Sequence, residues 1–188
     1  MIISIASGKG GTGKTTVAVN LALSLLNKEV QYMDCDVEEP NAHLFLKPSI
    51  QRVTSVGIPV PRIDETKCTS CGKCAKVCEY HAIALIVKTV LVFDEMCHGC
   101  GACSYLCPER AILEVEREIG IIQEGRANGI SFINGILNIG EPMASPLIRK
   151  VKEGIQKDKI VILDAPPGTS CPVIETVKGS DFCLLVTE

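Results

Sequence analysis

The chain has 188 residues, 46% of them hydrophobic and 22% charged, with 11 cysteines, no tryptophan and a net charge of −3. That composition can bury a core and excludes a disordered chain, and the acidic balance argues against a whole-chain nucleic-acid binder. No apolar run approaches the roughly 18 residues that cross a bilayer, and the glycine-rich motif starting at Gly8 leaves no room for a signal peptide. The expected setting is therefore cytoplasmic, with neither nucleic acid nor membrane as a partner. Eleven cysteines in a reducing compartment point to metal, not to crosslinks.

Ile2-Ile3-Ser4-Ile5-Ala6 predicts a buried strand that stops at Ser7-Gly8. After Lys14-Thr15-Thr16, Ala18, Leu21, Ala22 and Leu25 share one helical face. Val30 to Met33 predicts a second strand, ending at Asp34-Cys35-Asp36. Strand, glycine loop, helix and strand in that order open a parallel α/β sheet. From about Ile50, prolines at 48, 59 and 61 predict a linker. The segment Lys67 to Pro108 then holds eight of the eleven cysteines and is an internal repeat. Cys68, Cys71, Cys74 and Cys78 return 29 residues later as Cys97, Cys100, Cys103 and Cys107, and Ala82-Ile83 returns as Ala111-Ile112. Two copies of one small unit about a pseudo-two-fold are the simplest reading.

Beyond Glu118 the α/β texture resumes. Ser145-Pro146 predicts an N-cap followed by proline, and Leu147, Ile148, Val151 and Ile155 an apolar helix face. Lys159 to Leu163 predicts a third strand, ending at Asp164, and Phe182 to Val186 a fourth. The expected fold is α/β, a parallel sheet flanked by helices over residues 1–59 and 117–188. A small α+β domain over residues 60–116 interrupts it.

Gly8-Lys9-Gly10-Gly11-Thr12-Gly13-Lys14-Thr15, followed by Thr16, fits the phosphate-loop pattern G-x-x-x-x-G-K-[ST]. Glycines let successive backbone N–H groups turn toward phosphate oxygens, and the helix that follows adds its positive end. Lys14 is expected to reach the β- and γ-phosphates, and the Thr15 hydroxyl to ligate Mg²⁺. Asp36 and Asp164 follow strand ends, where open α/β sheets bind ligands. With Lys9 as a second lysine, the loop resembles the deviant Walker A motif of the MinD/ParA/nitrogenase-iron-protein ATPases. The resemblance implies ATP as ligand and a nucleotide-sandwich dimer, of two copies or of two paralogues, with Lys9 reaching the partner's phosphates. It makes Asp36 the switch I residue that positions the attacking water near Mg²⁺. It makes Asp164 the Walker B carboxylate that holds Mg²⁺ and places Gly168 where the γ-phosphate is sensed. Asp34 is left as a strand cap or a support for Mg²⁺.

Cys-x2-Cys-x2-Cys-x3-Cys, present twice, is similar to bacterial two-cluster ferredoxins. Zinc sites more often use spaced pairs of cysteines. The resemblance implies two [4Fe–4S] clusters with crossed ligand sets. Cys68, Cys71, Cys74 and Cys107 serve the first, and Cys97, Cys100, Cys103 and Cys78 the second. The proline that usually follows the fourth cysteine is present as Pro108 but replaced by Glu79 in the first run. Lys67, Lys73, Lys76 and Lys88 read as a solvated face. Cys35 and Cys183 are expected in the core and Cys171 as a packing or reactive thiol. His43 and His98 lack ligand spacing.

The combination resembles MinD-superfamily P-loop ATPases with an inserted ferredoxin domain, within the CobQ/CobB/MinD/ParA group. It implies a Mg²⁺-dependent ATPase and dimeric switch that gates electron transfer to a redox partner protein. A carrier or assembly ATPase of Mrp type, handing Fe–S clusters to a client, is the alternative, and a MinD-like positioning ATPase a further one. Members of this group run past the position of Glu188, so the ATPase domain is expected to be incomplete at its C-terminal side.

Overall fold

In the computed structural model, which describes residues 1–187, the first apolar run becomes strand β1 (Ile2–Ala6) and the phosphate loop leads into helix α1 (Lys14–Ser24). There follow β2 (Val30–Asp34), α2 (Ala42–Leu46), β3 (Ser49–Ile63), α3 (Lys73–Val77), β4 (Ile83–Ile86) and β5 (Thr89–Val92). Then come α4 (Ala102–Tyr105), β6 (Ile112–Ala127), β7 (Ile130–Leu137), α5 (Ala144–Lys152), β8 (Ile160–Asp164), α6 (Cys171–Val177) and β9 (Phe182–Leu185). Glu188, the last residue of the expected ATPase segment, lies outside the described residues.

Seven strands form one sheet in the order β3-β6-β7-β2-β8-β1-β9. Strands β7, β2, β8, β1 and β9 run parallel, and β6 is antiparallel to β7. The register is what builds the site. Ile5, Asp164, Asp34 and Asn134 stand in one row across β1, β8, β2 and β7. Two carboxylates therefore meet at the C-terminal edge of the sheet, where the parallel strands open toward ligand.

Each face of the sheet is covered. Ala18, Val19 and Ala22 of α1 and Ala42 and Leu46 of α2 pack on Ile5, Tyr32, Phe132 and Ile162. The alanines keep α1 close to the strands, and the Tyr32 and Phe132 rings stack 6.1 Å apart beneath it. On the other face α5 buries Leu147, Ile148 and Val151, and α6 sets Val173 against Ala6 and Ala165.

Three expectations are corrected. The segment read as a linker is strand β3, and Pro59 and Pro61 lie within it. β3 ends the strand order, and an edge strand tolerates a residue without an N–H. Helix α5 begins at Ala144, with Met143 as its cap, so Ser145 and Pro146 lie in its first turn. Cys183, expected in the core, is exposed, because β9 is the other edge strand and all four of its residues are exposed.

The chain forms two compact units, Met1–Val56 with Gly120–Glu188, and Gly57–Ile119. In the second, β4 and β5 pair as an antiparallel hairpin. The repeat reappears in its hydrogen bonds. Asp64 N–H donates to the Ala111 carbonyl (2.7 Å), and Phe93 N–H, 29 residues later, donates to Ala82 (2.8 Å). Each half thus bonds the other reciprocally, as a local two-fold requires. Gly72 and Gly101 cap α3 and α4 with φ of 74° and 72°, a left-handed geometry that glycine adopts without strain.

Candidate nucleotide site and cysteine cages

Gly13 takes φ 83° and lets the loop turn directly into α1, whose first residue is Lys14. The loop is tied at its base. Ser7 Oγ donates to the Lys9 carbonyl (3.0 Å), and Gly168 N–H donates to the Ser7 carbonyl (3.0 Å). A cleft of about 310 Å³ opens between the loop from Lys9 to Thr16, Asp36, Asn41 and Pro167. Lys9, Gly10, Gly11, Thr12, Gly13, Lys14, Thr15, Thr16 and Asp36 are thus brought together. Gly8 and Gly168 instead line a neighbouring apolar cavity of about 610 Å³, with Val173, Ile174 and Cys183. Thr12 Oγ1 is buried in the loop without a hydrogen-bond partner among the described residues, as an oxygen reserved for a ligand would be.

Lys14 is already engaged. Its ammonium lies 3.0 Å from Asp164 Oδ1, with the two side chains 7% and 1% exposed. The other oxygen of Asp164 accepts a hydrogen bond from the Tyr32 hydroxyl at 2.8 Å. Burial, and then the Asp164 charge, push the Tyr32 phenol well above its ordinary range, so it stays a donor. Asp34 is engaged by backbone N–H groups. Its Oδ1 accepts from Asp36 N–H (3.1 Å), and its Oδ2 from Asn41 (3.2 Å) and Ala42 (3.1 Å). Asp34 thereby fastens both ends of the turn that carries Asp36. Burial, and then Asp164, raise Asp34 to about 7. Burial raises Asp36 to about 6, with Lys14 pulling the other way. Two carboxylates, Asp164 and Asp36, beside one ammonium suit a divalent cation carrying its own waters, and Thr15, Asp36 and Asp164 are the residues that would hold Mg²⁺.

In the second unit the cassette cysteines are free and fall into two rings. Cys68, Cys71, Cys74 and Cys107 line one cavity, and Cys78, Cys97, Cys100 and Cys103 line another. Among the described residues no three His, Cys, Asp or Glu side chains converge as they would on a single ion. Backbone N–H groups already face the sulfurs, Ala82 to Cys78 Sγ and Ala111 to Cys107 Sγ, both at 3.3 Å. Burial pushes the Cys74 and Cys97 thiols up, and Cys103 to about 11, a cost that a coordinated metal would reverse. These rings therefore fit the [4Fe–4S] groups that the spacing implies. His98 stacks on Tyr80 beside the second ring, centroids 3.4 Å apart. Cys35 is fully buried, and Cys171 is exposed at the start of α6.

Sequence reasoning missed Tyr32, Thr12 as an unpartnered hydroxyl, and Asn134. Tyr32 and Asn134 read as ordinary strand residues until the register sets them beside the two aspartates.

A parallel sheet, a phosphate loop closing on a helix and a carboxylate facing the loop lysine define a P-loop nucleotide-binding protein. The chain matches the CobQ/CobB/MinD/ParA nucleotide binding domain over residues 3–166 and belongs to that family of P-loop ATPases. An uncharacterized protein of Methanocaldococcus jannaschii, MJ0578, is 38% identical over the whole chain, which spans 67% of that protein. An iron-sulfur cluster carrier protein of the same organism is 56% identical over 41 residues, 21% of this chain and 14% of that one. Among solved structures, the septum site-determining protein MinD of Pyrococcus horikoshii, in complex with Mg-ADP, aligns with 99% of the chain at 21% identity and a TM-score of 0.47. The chain spans 57% of that MinD chain. Among the described residues no helix is long and apolar enough to cross a membrane.

Proposed function

We propose that the protein is a Mg²⁺-dependent ATPase that dimerises over ATP and uses hydrolysis to control two [4Fe–4S] clusters, which pass electrons to a partner protein. The observation that carries this reading is the sorting of eight cassette cysteines into two separate rings of four, on the same chain as a complete phosphate loop. The N–H groups from Gly10 to Thr15 and the Lys14 ammonium bind the β- and γ-phosphates. Asp36 orients the attacking water, Asp164 and Thr15 hold Mg²⁺, and Lys9 completes the partner's site. Loss of the γ-phosphate then releases the turns that Asp36 and Gly168 belong to. Each cluster, when bound, supplies one-electron chemistry at low potential.

The test uses anaerobically purified protein, reduced, with iron content and the reduced-cluster EPR signal followed with and without Mg-ATP. The expected result is about eight irons per chain and a signal, or a rate of reoxidation by an artificial acceptor, that changes with Mg-ATP. Lys14→Gln should abolish the change and keep the iron. A cluster signal indifferent to nucleotide would overturn the coupling.

A second reading, a carrier that hands clusters to client proteins, is favoured by the local similarity to an iron-sulfur cluster carrier protein. Loss of the donor's visible absorption on mixing with an apo-ferredoxin would select it.

A further inference from the structure

Asn134 stands on β7 level with Asp34 of the neighbouring strand and is 1% exposed. Both of its amide atoms, Nδ2 and Oδ1, are buried without a hydrogen-bond partner among the described residues. Leaving such a group unpaired in an interior is costly, and the two residues before it on the same face, Phe132 and Ile130, are apolar. An amide kept under those conditions calls for a use.

The pleat shows what it faces. A Cβ on Gly135 would meet Val37 at 2.6 Å and Val151 at 2.9 Å, so Gly135 looks toward α5 and Asn134 toward the opposite layer. Phe132 stacks on Tyr32, each two residues before the pair in question. Amide and carboxylate are therefore same-face neighbours on adjacent strands. Asp34 meanwhile gives its oxygens to the N–H groups of Asp36, Asn41 and Ala42. β7 also grips this turn, because Leu137 N–H donates to the Val37 carbonyl at 2.8 Å.

We propose that Asn134 is a positioning residue for the turn 35–41, its amide being the second hydrogen-bond partner of the Asp34 carboxylate, taken up when Asn41 and Ala42 leave it. The proposal rests on the ATPase reading and deepens it. With the turn seated, the Asn134 amide is unpaired, which raises that state. With the turn released, Nδ2 donates to Asp34, so no bare carboxylate is left in the interior and the released state is lowered. The turn is thereby held near balance, within reach of the differential contacts a γ-phosphate makes with Asp36. Asn134→Leu removes the unpaired amide and the second partner together, so it favours the seated turn on both counts.

The experiment is hydrogen exchange of the whole protein, with and without Mg-ATP, read at residues 35–42 and, as a reference, at 8–16. In the wild type, Mg-ATP is expected to slow exchange at 8–16 and to change it several-fold at 35–42. In Asn134→Leu, the turn should exchange at least tenfold more slowly without nucleotide and stop responding to it, while 8–16 is still protected. Asn134→Thr keeps a hydroxyl donor and should keep the response, which a purely structural role for Asn134 would not predict. It also serves if the leucine variant folds poorly. A wild-type response at 35–42 in the leucine variant, or loss of the response in the threonine variant, overturns the proposal. So does a wild type whose loop is protected while its turn is unchanged. Absence of protection at 8–16 in the wild type overturns the ATP reading, and this proposal with it.

Discussion

Lys14 and Asp164 form a buried ion pair, so each is the condition for the other's burial. Removing the cation strands the carboxylate, and broken buried pairs cost about 3–5 kcal/mol. Lys14→Gln, which keeps a polar end at the same place, is expected to lower ATP hydrolysis by about two orders of magnitude, the scale of one lost charge-stabilising donor. A denaturant titration measures the first effect and phosphate release the second. Tyr32→Phe should cost about 1–2 kcal/mol, because Asp164 Oδ2 loses its donor in the interior. A urea midpoint unchanged by that substitution would show the bond to be worth nothing. At this scale the sequence was partly legible. The phosphate loop and the two cysteine runs are local patterns whose spacing is their chemistry. Tyr32 and Asn134 acquire their roles from the neighbouring strand, and no local pattern encodes which strand that is.

Among elements, α5 and α6 are joined by one side chain. Lys152 Nζ, at the end of α5, donates to the carbonyls of Glu175 (2.6 Å), Thr176 (2.8 Å) and Lys178 (2.7 Å). These are among the last acceptors of α6, which a helix of seven residues leaves open, and a cation there also answers the helix dipole. Lys152→Met should therefore cost about 1–3 kcal/mol and speed hydrogen exchange at 171–178 with little effect on α1. The parallel strands β1, β2, β8 and β9 were legible as short apolar runs with a polar residue at or just past their ends. Strands β3 to β7 were not, β3 and β6 being the longest of them. β3 carries two prolines and β6 many charges, which mimic a linker, and only an edge position and a long antiparallel partner make such segments into strands.

For the molecule as a whole, the two units differ in what holds them. The first has a continuous apolar core under its helices. The second has short helices with no buried residue and a hairpin of two four-residue strands, so on the reading proposed above its order is expected to depend on the clusters it would hold. Removing iron with a chelator under anaerobic conditions should raise hydrogen exchange throughout 57–119 and leave Mg-ATP protection at 8–16 in place. Loss of that protection on chelation would show the units to be one cooperative structure.

The Lys14–Asp164 pair also bears on how nucleotide enters. Because the loop's ammonium is neutralised in advance, an arriving phosphate would not find a bare charge; it would displace one anion with another. On the ATPase reading proposed above, binding would be an exchange of counter-charge at a buried pair, freeing Asp164 to hold Mg²⁺ and Lys14 to meet the phosphates. Occupancy of the loop would then be coupled to the end of β8 in a single step, and departure of phosphate would return Lys14 to Asp164.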